Sequence, residues 1–173
     1  MTRWNDVLNT NLLLTSTRSK RPVIVIAYAS VTGNVRKWAN ELGSILCSAS
    51  NVHFVDTFSN KSLSPTILDQ MKSSLVTIFV TSTQGNGELP SQAQKCLSFL
   101  FEQNGDLFAG KSYSVLGFGS SAYPIFCGGA VRLSKMLAQC GAVEIIPRGE
   151  CDAVKGEAPT FYDWVRTSKA HRL

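Results

Sequence analysis

The feature that most constrains the fold is an uninterrupted apolar run, Val-Ile-Val-Ile-Ala-Tyr, at residues 23–28. A strand with one face in solvent alternates apolar and polar residues, whereas a strand covered on both faces reads as a continuous apolar run. A short polar loop and then an amphipathic pattern follow it, with apolar residues at helical spacing from Asn34 to Ser48. This succession predicts a buried parallel strand connected to a helix.

The same succession repeats along the chain. Further strands are predicted at Val52–Val55, Leu75–Val80, Ser112–Leu116 and Val143–Ile146, and further helices at Pro65–Lys72, Ser91–Phe101, Gly129–Cys140 and Ala158–Ser168. Alternating strands and helices predict a parallel sheet with right-handed crossovers. The fold class is therefore α/β: a flavodoxin-like, doubly wound, five-stranded parallel sheet of order 2-1-3-4-5, in three αβα layers.

Length and charge restrict the function. The 173 residues fit one domain of ordinary size, and no apolar run is long enough to span a membrane. The net charge of +5 is concentrated in residues 1–21 and 166–173, each at +3, which leaves −1 between them. A nucleic-acid-binding protein more often carries its basic excess on a folded face, so we expect no nucleic-acid partner. Five cysteines without a CxxC motif indicate reduced thiols in a cytoplasmic protein.

Three polar or glycine-rich loops follow the strands that flank the predicted switch point of the sheet. They span residues 30–34, 82–87 and 117–123. Ligands of open parallel sheets bind at this edge, outside the carboxyl ends of the strands. The first loop opens a helix and carries hydroxyls but no lysine, which suits a phosphate that is held and not transferred. The loop alone is equally compatible with an ordinary helix cap.

The motifs of these loops resemble a known family. Tyr-Ala-Ser-Val-Thr-Gly-Asn at residues 28–34, Val-Thr-Ser-Thr-Gln-Gly-Asn-Gly at 80–87, and Gly-Phe-Gly-Ser-Ser-Ala-Tyr-Pro-Ile-Phe-Cys at 117–127 are similar to the FMN-binding, flavodoxin-like domain of the diflavin reductases. The similarity is greatest to nitric oxide synthase and also extends to NADPH–cytochrome P450 reductase. It continues through Gly-Glu-Cys-Asp at 149–152 and covers about residues 22–168.

The resemblance implies an FMN site. The residues that match the family's phosphate loop are Ser30, Val31, Thr32, Gly33, Asn34 and Val35. Those that match its isoalloxazine-binding segments are Ser82, Thr83, Gln84, Gly85, Asn86, Gly87, Gly119, Ser120, Ser121, Tyr123, Phe126 and Cys127. Tyr123 corresponds to the stacking tyrosine, and Asp152 and Glu157 fall in the last FMN-contacting segment. We expect no catalytic side chain and no metal, because a flavin performs its own redox chemistry.

Some positions depart from the family. Gln84 stands where a second aromatic residue usually covers the flavin, Val31 and Ala153 replace frequent acidic residues, and Gly128-Gly129 stand where the synthases often have Ala-Phe. These departures leave open an alternative, in which the chain is a flavodoxin-like interaction module that has lost FMN.

The resemblance also implies partners. The family passes electrons from NADPH through FAD to FMN and then singly to a haem, so the expected partners are an FAD/NADPH-binding reductase module and a haem protein or domain. No complete catalytic cycle is expected from this chain alone. The expected organisation is an N-terminal linker or amphipathic segment at residues 1–21, the FMN-binding domain at 22–168, and a basic tail at 169–173. Calmodulin binding to residues 1–21 is disfavoured, because residues 2–17 contain one Arg and one Asp.

Overall fold

The computed structural model describes residues 22–47, 51–56, 65–103 and 107–170. The predicted N-terminal segment at residues 1–21 and the last residues of the predicted tail, 171–173, lie outside the described residues. The strands are β1 (Val23–Ala29), β2 (Asn51–Asp56), β3 (Val76–Ser82), β4 (Ser112–Gly119) and β5 (Val143–Asp152). The helices are α1 (Asn34–Leu46), α2 (Pro65–Ser73), α3 (Ser91–Gln103), α4 (Gly128–Gln139) and α5 (Glu157–Ala170).

The strands form one sheet in the order β2-β1-β3-β4-β5, and every pairing is parallel. The α/β class and the parallel sheet predicted from the sequence are therefore confirmed. No helix among the described residues is both long and apolar enough to cross a membrane.

The apolar run of β1 is buried on both faces, as the sequence predicts. Ile24, Ile26 and Tyr28 pack into a cluster with α1 and α5. Val25 and Ala27 point the other way and pack with residues of α2, α3 and α4. Because successive side chains of a strand point to opposite faces, one continuous apolar run supplies both cores of a three-layer domain.

The fifth strand is longer than predicted. The sequence indicates Val143–Ile146, but β5 continues to Asp152. The sequence pattern does not predict this extension, because Pro147 and Gly149 are residue types that usually interrupt strands. β5 lies at the edge of the sheet, where proline is tolerated, and the pairing shifts by one residue where Ser114–Leu116 faces Ile146–Gly149. Similarly, Ser82 and Gly119 are the last residues of β3 and β4, so they end strands and do not lie within loops.

The close approach of α4 to β4 generates a stability prediction. A Cβ added at Gly117 would lie 2.5 Å from the Cβ of Ala130 on α4. We expect Gly117→Ala to lower the free energy of unfolding by roughly 1–3 kcal/mol, the usual effect of overpacking. Urea denaturation should show that Gly117→Ala/Ala130→Gly is less destabilised than the sum of its two single variants. Strict additivity of the two substitutions would contradict the contact.

Candidate functional site

Four loops gather at the carboxyl edge of the sheet. We call residues 30–33 loop 1, residues 83–90 loop 2, residues 120–127 loop 3 and residues 153–156 loop 4; they follow β1, β3, β4 and β5. The register pairs Ala29 with Thr81 and Thr81 with Gly117, so these strands end side by side. The hydroxyl of Ser82 reaches the carbonyl of Ala29 at 3.5 Å and links two of the strand ends. Residues far apart in sequence therefore share one edge.

Loop 1 presents free backbone donors. Gly33 adopts φ +82° and immediately precedes α1, and the N–H of Val35 donates to the Ser30 hydroxyl at 3.3 Å. Within the part of the chain that the structure describes, the N–H groups of Thr32, Gly33 and Asn34 have no hydrogen-bond partner. A Cβ added at Gly33 would meet no atom of the described residues within 4 Å, so none of them fills the space beside the loop. Unpaired N–H groups at the positive end of a helix dipole favour an anion.

The start of α1 is fixed by a carboxylate from α5. Glu157 accepts hydrogen bonds from the Asn34 side-chain amide at 2.9 Å and from the Trp38 indole at 2.7 Å. Lys37 lies 3.7 Å from the same carboxylate. The Glu157 carboxylate, which the resemblance places near FMN, thus holds the start of α1 in position.

Loop 2 is a tight turn closed by its own backbone. The N–H of Gln84 donates to the Glu88 carbonyl at 2.9 Å, and the N–H of Glu88 donates back to the Gln84 carbonyl at 2.8 Å. Gly85 and Gly87 take φ of +50° and +77° within the turn, in the region that glycine enters most easily. The carbonyl of Gly85 and the N–H of Asn86 have no partner among the described residues. One exposed peptide at the tip of the turn is therefore available to a ligand.

Glycines allow loop 2 to pack closely against the start of α4. A Cβ added at Gly87 would lie 2.3 Å from Cγ2 of Ile125, and one at Gly128 would lie 2.7 Å from the Gly87 carbonyl oxygen. A Cβ at Gly129 would lie 3.0 Å from the Glu88 carbonyl oxygen. This packing explains Gly128-Gly129, because a larger side chain at either position would push the two segments apart. The N–H of Gly129 also donates to the Thr83 hydroxyl at 3.3 Å, so that hydroxyl supports the loop.

The Gln84 side chain is turned toward α3. Its amide donates to the hydroxyl of Ser91, the first residue of α3, at 2.9 Å. The residue that departs from the family's aromatic position therefore connects loop 2 to a neighbouring helix.

Loop 3 exposes aromatic surface above a hydrogen-bonded turn. The N–H of Tyr123 donates to the Ser120 carbonyl at 3.1 Å, and the N–H of Ala122 donates to the Ser120 hydroxyl at 3.3 Å. Tyr123 is 67% exposed, and Val31 of loop 1 is 61% exposed. Phe126 is half-buried. Large apolar side chains of two loops thus remain uncovered at the same edge of the sheet.

Asp152 connects loop 3 to loop 4. Its buried carboxylate accepts hydrogen bonds from the N–H groups of Ser121 and Val154, each at 3.0 Å. The pKa of this carboxyl is lowered below its usual range, mainly by hydrogen bonds from the backbone N–H and the hydroxyl of Ser121. The N–H of Ala153 donates to the Gly119 carbonyl at 2.9 Å. Asp152 therefore organises the ends of β4 and β5.

Cys127 is the last residue of loop 3. It is fully buried, adopts a left-handed conformation at φ +49°, and immediately precedes α4. Burial, assisted by the negative charge of Glu150, raises the pKa of its thiol to about 12, so the group stays protonated and unreactive. Its role in the site is to support the turn.

Sequence reasoning missed two contributors to the site. Trp38 on α1 stacks on Phe118 of β4, with ring centroids 6.0 Å apart, and donates to Glu157. Arg132 on α4 donates to the carbonyl of Asn86 in loop 2 at 3.3 Å. Both hydrogen bonds join residues far apart in sequence, and neither side chain belongs to a local motif that would have identified it.

The fold and the loop cluster define a doubly wound α/β domain with a candidate ligand site at its switch point. The flavodoxin family profile matches residues 26–164. The chain belongs to the flavodoxin family. NADPH-dependent diflavin oxidoreductase 1 of Aspergillus fumigatus is 39% identical over 159 residues, covering 86% of this chain and 24% of that protein. Inducible nitric oxide synthase of Gallus gallus is 34% identical over 164 residues, covering 94% of this chain and 14% of the synthase.

Solved structures of flavodoxins share the fold. A flavodoxin mutant from Pseudomonas aeruginosa superposes with a TM-score of 0.71 at 23% identity, covering 86% of this chain and 96% of that one. A mutant flavodoxin from Fusobacterium nucleatum, described as bound to flavin mononucleotide, superposes with a TM-score of 0.69 at 20% identity, covering 88% and 99%. The chain therefore corresponds to a complete flavodoxin fold but spans about a quarter or less of the curated relatives cited here.

The Asp152 contacts predict a pH dependence of stability. A carboxyl whose pKa is lower in the folded than in the unfolded state stabilises the fold above its unfolded pKa of about 3.9. That stabilisation disappears as the pH falls through the folded pKa. We expect Asp152→Asn to be less stable than the wild type at pH 7, with the difference shrinking below about pH 4. Urea denaturation from pH 7 to pH 2.5 measures it, and a difference that stays constant over this range would contradict the role of the charge.

Proposed function

We propose that this chain binds one FMN and carries single electrons between a reduced flavin module and a haem or similar acceptor. The observation that carries the proposal is that two sets of backbone groups, unpaired among the described residues, lie at one edge of the sheet. Thr32, Gly33 and Asn34 offer N–H groups to a phosphate, and the Gly85–Asn86 peptide offers a carbonyl and an N–H to a polar ring edge. Membership of the flavodoxin family and the similarity to diflavin oxidoreductases support it.

The phosphate is assigned to loop 1. The three free N–H groups and the exposed Thr32 hydroxyl supply hydrogen bonds, and the α1 dipole supplies positive potential. Glu157 acts indirectly, because its hydrogen bonds to Asn34 and Trp38 fix the first turn of the helix. Lys37 offsets the negative charge of that carboxylate close to the phosphate.

The isoalloxazine ring is assigned to the space between loops 2 and 3. Tyr123 offers an exposed ring for stacking, and Val31 adds apolar surface from loop 1. When bound, FMN supplies one-electron redox chemistry. The Gly85 carbonyl would accept a hydrogen bond from a protonated flavin N5, and the glycine would allow its peptide to rotate into position.

The electron donor and acceptor are proposed by analogy with the relatives. An FAD/NADPH-binding reductase module would supply electrons, and a haem protein or domain would receive them. We propose residues 22–168 as the FMN-binding domain, acting in the cytoplasm.

Cofactor identification tests the proposal directly. The protein is purified after supplementation with FMN and then denatured, and the released cofactor is separated by chromatography. One equivalent of FMN per chain is expected, because loop 1 suits a single terminal phosphate and no GxGxxG dinucleotide fingerprint precedes it. Release of FAD contradicts the cofactor assignment. Release of no flavin favours the alternative, an interaction module that has lost FMN.

Thr32→Ala tests the phosphate assignment. Losing a hydroxyl donor to a charged group costs roughly 1–3 kcal/mol, so the Kd for FMN should rise about 5- to 150-fold. Riboflavin lacks the phosphate, and its Kd should change little. Thr32→Ser retains the hydroxyl and serves as the matched control, with affinity near that of the wild type. Equal weakening of FMN and riboflavin, measured by fluorescence titration, would show that Thr32 does not face the phosphate.

A further inference from the structure

Loop 2 is held by backbone hydrogen bonds, by close packing at its glycines, and by one hydrogen bond from a side chain. Backbone hydrogen bonds join Thr83 to Phe118 and Gln84 to Glu88, and glycine packing fixes Gly87. These contacts restrain the two ends of the turn. The tip is held by the guanidinium of Arg132, which donates to the carbonyl of Asn86 at 3.3 Å.

Arg132 is well placed for this contact. It lies on the second turn of α4, the helix whose first residue packs against Gly87. Arg132 lines a groove between α3 and α4 together with Leu89 and Met136. Among the described residues, no carboxylate lies within ion-pair distance of its guanidinium. The group is therefore not drawn away from loop 2 by a competing charge.

The hydrogen bond from Arg132 restrains one peptide group of loop 2, and the preceding peptide group remains available to a ligand. The Asn86 carbonyl belongs to the peptide that joins Asn86 to Gly87, and Arg132 restrains that peptide. The preceding peptide, between Gly85 and Asn86, has no partner among the described residues at its carbonyl or its N–H. Restraining one peptide limits the rotations open to the next, because the two share the Asn86 backbone.

We propose that Arg132 is a positioning residue that holds the tip of loop 2 so that the Gly85–Asn86 peptide is presented to the flavin, thereby setting the separation between the two one-electron reduction potentials of the cofactor. The inference rests on the proposed function. A carbonyl that faces N5 can accept a hydrogen bond from it only when N5 is protonated, which follows the arrival of the first electron. Such a carbonyl raises the first potential relative to the second, and a loosely held loop would present it less often.

The positive charge of Arg132 would change the separation between the two reduction potentials in the opposite direction to its positioning role. A nearby cation favours the second electron when the fully reduced ring is anionic. Removing only the charge would therefore lower the second reduction potential and widen the gap between the first and second potentials. Removing the positioning would lower the first potential and narrow the separation.

Arg132→Met is the decisive variant, because methionine keeps an unbranched apolar stem for the groove and removes the guanidinium. Lys135→Met is the matched control: it removes an exposed cation from the same helix, three residues further on, and among the described residues Lys135 has no hydrogen bond or ion pair with loop 2. Spectroscopic redox titration should show the separation narrowing by about 59 mV in Arg132→Met, equivalent to a tenfold change in a one-electron equilibrium constant. Lys135→Met, which removes a charge and leaves Arg132 in place, should leave the separation at or slightly above the wild-type value. Arg132→Lys, which keeps a charged donor, should show a separation between those of Arg132→Met and the wild type.

Amide hydrogen exchange in the flavin-free protein provides an independent readout. The N–H of Glu88 closes the turn of loop 2, and its exchange should be several-fold faster in Arg132→Met than in Lys135→Met. A wider separation in Arg132→Met, or the same separation in both variants, overturns the proposal. If the wild type binds no FMN, the proposed function fails. The exchange comparison then decides the positioning role alone, and equal exchange in the two variants overturns it.

Discussion

The parallel register of β1, β3, β4 and β5 is the constraint on which the rest of the site depends. Ala29 pairs with Thr81, Thr81 with Gly117, and Gly117 with Glu150, so four strand ends lie along one line. The loops that leave these ends must pass close to one another. This close approach requires glycine at Gly87 of loop 2 and at Gly128 of α4, because a Cβ at either position would overlap atoms of the other segment.

Polar groups at this edge fall into two sets with different roles. The Thr83 hydroxyl and the carboxylates of Asp152 and Glu157 are used within the protein, where they connect loops and helices. The N–H groups of Thr32, Gly33 and Asn34 and the Gly85–Asn86 peptide have no hydrogen-bond partner within the described part of the chain. Side chains therefore form the supporting structure, and backbone groups are left available for a ligand. Backbone donors suit an anion that is held without being transferred, because they carry no proton that titrates near neutral pH.

Much of this architecture is predictable from local sequence. The unbroken apolar run of β1 predicts a strand buried on both faces, and α1 begins at Asn34 as the pattern indicates. The extension of β5 past Pro147 is not predictable in this way, because tolerance of proline depends on the strand lying at the sheet edge. The contacts of Glu157, Gln84 and Arg132 depend on which side chains meet in three dimensions. Glu157 and Asn34 are 123 residues apart in sequence, so no local pattern could assign the carboxylate to α1.

The central claim is that unpaired backbone groups at the carboxyl edge of the sheet receive the cofactor. An amide chemical-shift titration with FMN, recorded by NMR on the isotope-labelled protein, tests this claim most directly. The account predicts the largest shifts at the N–H groups of Thr32, Gly33 and Asn34, with a second cluster at Asn86 and its neighbours in loop 2. Shifts confined to other surfaces, such as the groove between α3 and α4, would contradict it.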